Sequence, residues 1–448
     1  MVMDGSRRIR VLIPIAESIG GQMSAVGIRK LEVGRALAAT CDVTFATTAA
    51  TNDLVAGLSI VDCPNRVVFR SLLASHDVIY TLGLTADRFL DVVRSGIRVV
   101  LDMYTPLAVE IVEAFPEAPP KLLRRMHRRV VRWTIAQFAH SDFIVCTGAA
   151  QRDLWLGTLN AAGLLDPERM KHDPDCRGII DFVPMGVPVG EPVAAGRPLR
   201  DRLPSIGPND FVLLWSSHIL AWQDPETLLH AMARLAVAAP TIRLVFLGTG
   251  TPKPKGRAAW LDPAAARTRE TFALAEKLGL RDRNVFFLPD RIPYRDIGAF
   301  YCDADAGIAT YPASLETRYC LGTRLLDFLW AGLPMVVSGM DLQREFVEER
   351  GLGIFAKPHD PDGLADSILR MKSAVRGDKF PADRFAAARR SLSWPVVTEP
   401  VARFCQSPLA RSRKPRRRML MAVGQLVEFY ARSVLCRLTR ECSWEKRQ

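Results

Sequence analysis

At 448 residues the chain exceeds what one hydrophobic core usually supports, so two domains are expected, with room for an extra tail. A composition of 48% hydrophobic and 24% charged residues is that of a soluble globular protein. The formal charge of +12 is concentrated at the end, where residues 411–448 hold eleven Lys or Arg against Glu428, Glu441 and Glu445. Nine scattered cysteines with no C-x-x-C pair exclude a disulfide framework and a zinc knuckle, and point to reduced thiols in the cytosol. No uninterrupted run of 18 apolar residues occurs, so no spanning helix is expected. The opening MVMDGSRRIRVLIPIAES reads as a first strand and not as a signal peptide.

In chain order, Arg8 to Ile15 is a continuous apolar run, as a strand buried on both faces of a parallel sheet requires. A loop from Glu17 to Val26 with Gly20 and Gly21 follows, and Gly27 opens a helix, GIRKLEVGRALAA. Strand, glycine-bearing loop and helix make half of a βαβ unit. No G-x-G-x-x-G is present, which argues against a nicotinamide cofactor. Apolar runs at Val43–Ala46, Val78–Tyr80, Val99–Leu101 and Phe143–Cys146 alternate with helical segments and predict a doubly wound domain, with ligands at the carboxyl ends of its strands. Asp102-Met103-Tyr104 and Thr147-Gly148 sit at two such ends, and Asp102 is either catalytic or a structural cap. Lys121–Trp133, KLLRRMHRRVVRW, is basic and amphipathic and suits either an anionic membrane surface or a solvated face, with His127 a surface residue.

Val183–Val187 leaves the first domain as a strand, and residues 189–209, rich in Pro and Gly, form a linker. A second alternating series runs from Phe211 to Met371, with Gly248 and Gly250 in the loop of LVFLGTGTP. Asp303-Ala304-Asp305 matches a metal-binding D-x-D in letters but reads as a strand entry, so no metal is expected. The centre of the series is LETRYCLGTRLLDFLWAGLP, Leu315–Pro334: a polar loop with Glu316 and Arg318, then a helix start at Gly322-Thr323. Thr323 suits the N-cap, Gly322 lets backbone approach a ligand, Arg324 offers a bidentate fork, and Asp327 lies one turn further on. Free first-turn amides and the helix dipole make that corner a seat for phosphate oxygens. After the second domain and residues 385–405, SRKPRRR introduces a helix from Met419 to Arg440 with a wide apolar face. That tail suits anionic lipid, docking on the protein itself, or nucleic acid, of which nucleic acid is not expected.

These landmarks together resemble the GT-B glycosyltransferases, in particular glycosyltransferase family four. The resemblance rests on AGLP at 331–334, DMYTP at 102–106, Q-R-D-L-W-L-G at 151–157, V-P-M-G-V at 183–187 and the glycines of 248–250. It implies an α/β protein of two Rossmann-like doubly wound domains facing a cleft: an acceptor-side domain (1–188), a linker (189–209), a nucleotide-sugar domain (210–378), a crossing segment (379–408) and a basic tail (409–448). It further implies retaining, metal-independent transfer from a UDP- or GDP-linked sugar, with no cofactor, to a lipid-linked or polysaccharide acceptor. Within that scheme Glu316 touches the sugar, Asp327 the ribose, and Arg318, Arg324 and the amides at Gly322 and Thr323 the diphosphate. Gly20, Gly21 and Gly27 approach the sugar diphosphate, and Gly248 and Gly250 pass over the base. The family's diphosphate Arg and Lys fall here on His218 and Gln223, and His218, Arg318 and Arg324 stand in for that charge. A cytoplasmic protein, peripheral on the inner face of the membrane, is the matching location. A nucleotide-sugar-binding scaffold and a sugar-nucleotide epimerase remain the alternatives.

Overall fold

The computed structural model describes residues 7–407, apart from 18, 20–22, 49–57, 217, 251–262, 291 and 294, together with 418 and 420–425. Strands β1 Arg10–Ile15, β2 Asp42–Thr47, β3 Ser59–Asp62, β4 Val78–Thr81, β5 Arg98–Met103, β6 Phe143–Cys146 and β7 Ile180–Phe182 form a parallel sheet in the order β3-β2-β1-β4-β5-β6-β7. A second parallel sheet contains β8 Phe211–Ser216, β9 Ile242–Leu247, β10 Val285–Leu288, β11 Ala306–Thr310, β12 Met335–Ser338 and β13 Gly353–Ala356, in the order β10-β9-β8-β11-β12-β13. Both are doubly wound, as the alternation of apolar runs and helices predicts. Helices cover both faces, so central strands such as β5 and β8 are buried along their whole length. Strand order reverses between β1 and β4 in one sheet and between β8 and β11 in the other, and ligands of such sheets gather outside these switch points.

The first helix begins at Ala25, two residues before the predicted Gly27, because Ser24 caps it and accepts from the Gly27 N–H at 3.2 Å. The strand leaving the first domain is Ile180–Phe182; the predicted stretch from Val183 to Val187 pairs only through Val187, opposite Ser393. At that pair the two chain crossings lie side by side: Val187 donates to Leu392 O at 2.8 Å and Trp394 to Val187 O at 3.2 Å. Gly186 is required there, since a Cβ on it would stand 2.5 Å from the Trp394 ring. The returning chain completes the first domain's core with Trp394, Val397, Val401 and Cys405, and Phe404 stacks on Phe143 at 5.0 Å.

Of the predicted tail helix only its start falls within the described residues. Residues 420–425 are helical, Ala422 is fully buried among Phe138, Leu159 and Leu164, and the Arg418 guanidinium donates to Leu164 O. This piece docks on the first domain, while 426–448 lie outside the described residues. Lys121–Trp133 belongs to the longer helix Pro120–His140, whose second half is buried and whose basic first half is not. No helix among the described residues is long and apolar enough to cross a membrane.

Candidate functional site

The carboxyl ends of both sheets open onto one cavity of about 970 Å³ between the domains. Its first-domain wall comes from Ser24–Val26, Leu82–Thr85 after β4, Asp102–Thr105 at the end of β5 and Thr147–Gln151 after β6; its second-domain wall comes from Leu220, Trp222 and Gln223 after β8, Tyr311 after β11 and Tyr319–Arg324. Val26, Leu82, Leu84, Met103, Leu107 and Trp133 give the first-domain wall an apolar surface, beside the polar Glu110, Thr134 and Gln137.

The predicted helix start lies in this cavity. The helix is Thr323–Trp330, but its N-cap is Gly322 and not Thr323, which becomes the first helical residue. The reason is packing: a Cβ at 322 would stand 1.8 Å from the Tyr311 hydroxyl, so that tyrosine demands glycine. Arg324 is buried, its guanidinium 4.6 Å from the centre of the Trp215 ring and donating to His218 O at 3.1 Å. Held in this way, it adds a fixed cation to the first-turn amides, which suits a phosphate group. Asp327 is half-buried, does not line the cavity, and accepts from the Tyr301 hydroxyl at 3.1 Å. Burial pushes its carboxyl up to about 6, against the opposing pull of Tyr301 and Arg324.

Facing this corner is a carboxyl cluster that spans the two domains. Glu316, on the short helix Leu315–Tyr319, is buried, and its N–H donates to Glu113 Oε1 of the first domain at 3.3 Å. Burial, then the charges of Glu110 and Glu113, push the Glu316 carboxyl up to about 8. Burial also raises Glu110, opposed by Thr105. Neither Glu110 nor Glu113 is foreseen from sequence; the available signal is two acids three residues apart in the helix Leu107–Ala114, directly after the DMYTP turn.

Several predicted site residues are placed elsewhere. Asp102, a catalytic candidate, is locked under the cavity floor: Arg29 Nε and Nη2 donate to it at 2.6 and 3.0 Å, Tyr80 donates its hydroxyl, and both side chains of the ion pair are fully buried. His218 does not line the cavity and serves the site through its carbonyl. Gln223 lines it, but its Oε1 accepts from the Leu220 N–H at 2.9 Å and so shapes the loop. Arg318 points to solvent on the far side of its short helix. Gly27, which does not line the cavity either, is glycine because a Cβ would meet the Glu17 carboxylate at 2.3 Å. Gly20 and Gly21 lie outside the described residues. Gly248 has a left-handed backbone (φ +73°), and Gly250 packs on β10's exit, where a Cβ would stand 2.2 Å from Pro289 O; neither lines the cavity. Gly250→Ala is expected to destabilise the protein by about 1–3 kcal/mol, read as a lowered midpoint in urea, because backbone cannot give way as a side chain can. Asp303 and Asp305 are engaged by Arg200 at 2.6 and 3.2 Å and by backbone amides of Leu199, Arg200 and Val212.

The fold is shared with known proteins. Residues 210–373 match the sequence model of the family described as glycosyl transferases group 1, in agreement with the resemblance to GT-B enzymes read from the sequence. Among solved structures, HepE of Anabaena in complex with UDP superposes with a TM-score of 0.59 at 14% identity, covering 89% of this chain and 100% of that one. Sucrose-phosphate synthase of Thermosynechococcus elongatus gives 0.60 at 16% identity, covering 89% and 98%. WaaG, a glycosyltransferase involved in lipopolysaccharide biosynthesis, gives 0.58 at 16% identity, covering 89% and 100%. The fold is therefore GT-B. No curated protein matches the sequence.

Proposed function

We propose that this protein is a glycosyltransferase that moves a sugar from a UDP- or GDP-linked donor, held by the second domain, to an acceptor seated against the first, with retention at the anomeric carbon and without a metal. The observation that carries this reading is the pairing, across one interdomain cavity, of a helix N-terminus bearing Arg324 with the Glu316 carboxyl. The bond between the anomeric carbon and the phosphate oxygen breaks, its electron pair leaving on the diphosphate next to Arg324 and the first-turn amides. The acceptor hydroxyl bonds to the anomeric carbon, and its proton passes to the departing phosphate. Glu316 contacts the sugar, and closure of the domains excludes water. HepE structures hold UDP and UDP-glucose, which supports a uridine donor. The apolar acceptor-side wall supports an acceptor with an apolar part, such as a lipid-linked glycan.

Titration calorimetry with UDP and GDP tests the reading. Binding of one of them is expected in the micromolar range, and Arg324→Met is expected to weaken it about ten- to a hundredfold through loss of charge-assisted hydrogen bonds. Failure of both nucleotides to bind would end the proposal. The lack of a fixed cation at His218 and Gln223 favours a second reading, a nucleotide-sugar-binding protein without transfer. It predicts the same binding, but no release of nucleotide from UDP- or GDP-sugars with any lipid-linked acceptor offered.

A further inference from the structure

With no fixed cation at 218 or 223, the leaving group of the proposed reaction is short of partners, and Tyr311 stands where a partner is needed. It directly follows β11, at the switch point between β8 and β11, and it lines the cavity. Its ring is buried, and its hydroxyl is buried with no hydrogen-bond partner among the described residues. A phenol in that state lowers stability with no return in the unliganded fold, since its hydration is given up and not replaced. The hydroxyl packs against Gly322, the N-cap of the helix that presents Arg324, and only glycine at 322 leaves room for it. Arg324, Glu316 and Asp327 are the charged groups around it, and burial pushes the phenol up to about 12, so the oxygen keeps its proton.

We infer that the Tyr311 hydroxyl is a neutral hydrogen-bond donor to the diphosphate of the donor nucleotide, completing the seat formed by the first-turn amides and Arg324. The inference rests on the donor reading above and specifies a contact within it. A neutral donor held in a dry wall stabilises negative charge without the desolvation cost of a further cation. Its orphaned state without ligand is what a group preorganised for an absent anion looks like.

Tyr311→Phe removes the oxygen and keeps the ring that Gly322 packs on. Calorimetry of the full chain with UDP and GDP is expected to show the Kd of the bound nucleotide rising about tenfold. The melting temperature of the unliganded variant is expected to equal or exceed that of the wild type by about 1–5 °C, because an unpaired buried hydroxyl has been removed. A Kd within twofold of the wild type overturns the inference, and so does a rise in Kd accompanied by a melting temperature lowered by about 5 °C or more, which marks the hydroxyl as structural. A wild-type chain that binds neither nucleotide defeats the donor reading and this inference together, whereas equal binding by wild type and variant defeats the inference alone.

Discussion

Arg29→Met is expected to lower folding stability by about 3–5 kcal/mol, read as a shift of the urea midpoint at unchanged slope. Arg29 is fully buried and joins three parts of the first domain: the Asp102 carboxylate of β5 at 2.6 and 3.0 Å, Val183 O at 2.8 Å and Pro184 O at 3.1 Å. Burial works against its charge, but Asp102, with Tyr80 and Tyr104, outweighs burial and raises the guanidinium above its ordinary value. Methionine fills the space and leaves the carboxylate of Asp102 dry and unpaired, with only the Tyr80 hydroxyl for a partner. The double variant Arg29→Met, Asp102→Leu removes that stranded charge and is expected to recover most of the loss. A double variant as unstable as the single one would show that the two backbone carbonyls, and not the carboxylate, carry the cost.

Glu316→Gln is expected to act in opposite directions on stability and on transfer. The carboxyl is held up to about 8 in the folded protein, from an ordinary value of 4.5. A folded state that holds its proton more tightly than the unfolded state loses stability as pH rises from about 4.5 to about 8, and at higher pH the full cost is present. Glutamine has no proton to lose, so the variant is expected to match the wild type near pH 4 and to exceed it at pH 9 by on the order of a few kcal/mol. Transfer is expected to fall about ten- to a hundredfold, because in the proposed reaction one of the two oxygens that contact the sugar becomes an amide nitrogen. Urea titrations at the two pH values, with donor turnover measured in parallel, check both halves. A stability difference that does not grow with pH would assign the raised carboxyl to another member of the cluster.

The doubly wound architecture is legible in the sequence because strands buried on both faces need apolar runs, as in β6 and in Val99–Leu101 of β5 and Phe211–Trp215 of β8. Edge strands escape that logic: β3 carries Ser59 and Asp62 and is exposed at both ends, and β13 is only partly buried, so neither stands out as an apolar run. The phosphate corner is legible for a local reason, since a glycine, a small polar residue and an arginine at a helix start interact with their neighbours in sequence. Asp102 stays open between a catalytic and a structural role in the sequence for the opposite reason. A carboxylate at a strand end looks the same whether it faces a ligand or an arginine 73 residues earlier, and only the fold reveals the partner. Tyr311 and Gly322 form a complementary pair eleven residues apart across a loop and a short helix, and nothing in the letters ATYPASLETRYCLG marks the contact.

The returning helix Glu399–Gln406 sets an order of events during biosynthesis. Val401 and Cys405 belong to the core of the domain that leaves the ribosome first, yet the roughly 220 residues between Phe182 and Cys405 take on the order of ten to forty seconds to translate. For that interval the nascent amino-terminal half displays the uncovered Phe143 ring and its greasy surroundings, a natural target for a holdase chaperone. A stop codon anywhere before residue 394 therefore leaves the first domain without the side chains that close its core, even where the second domain is whole.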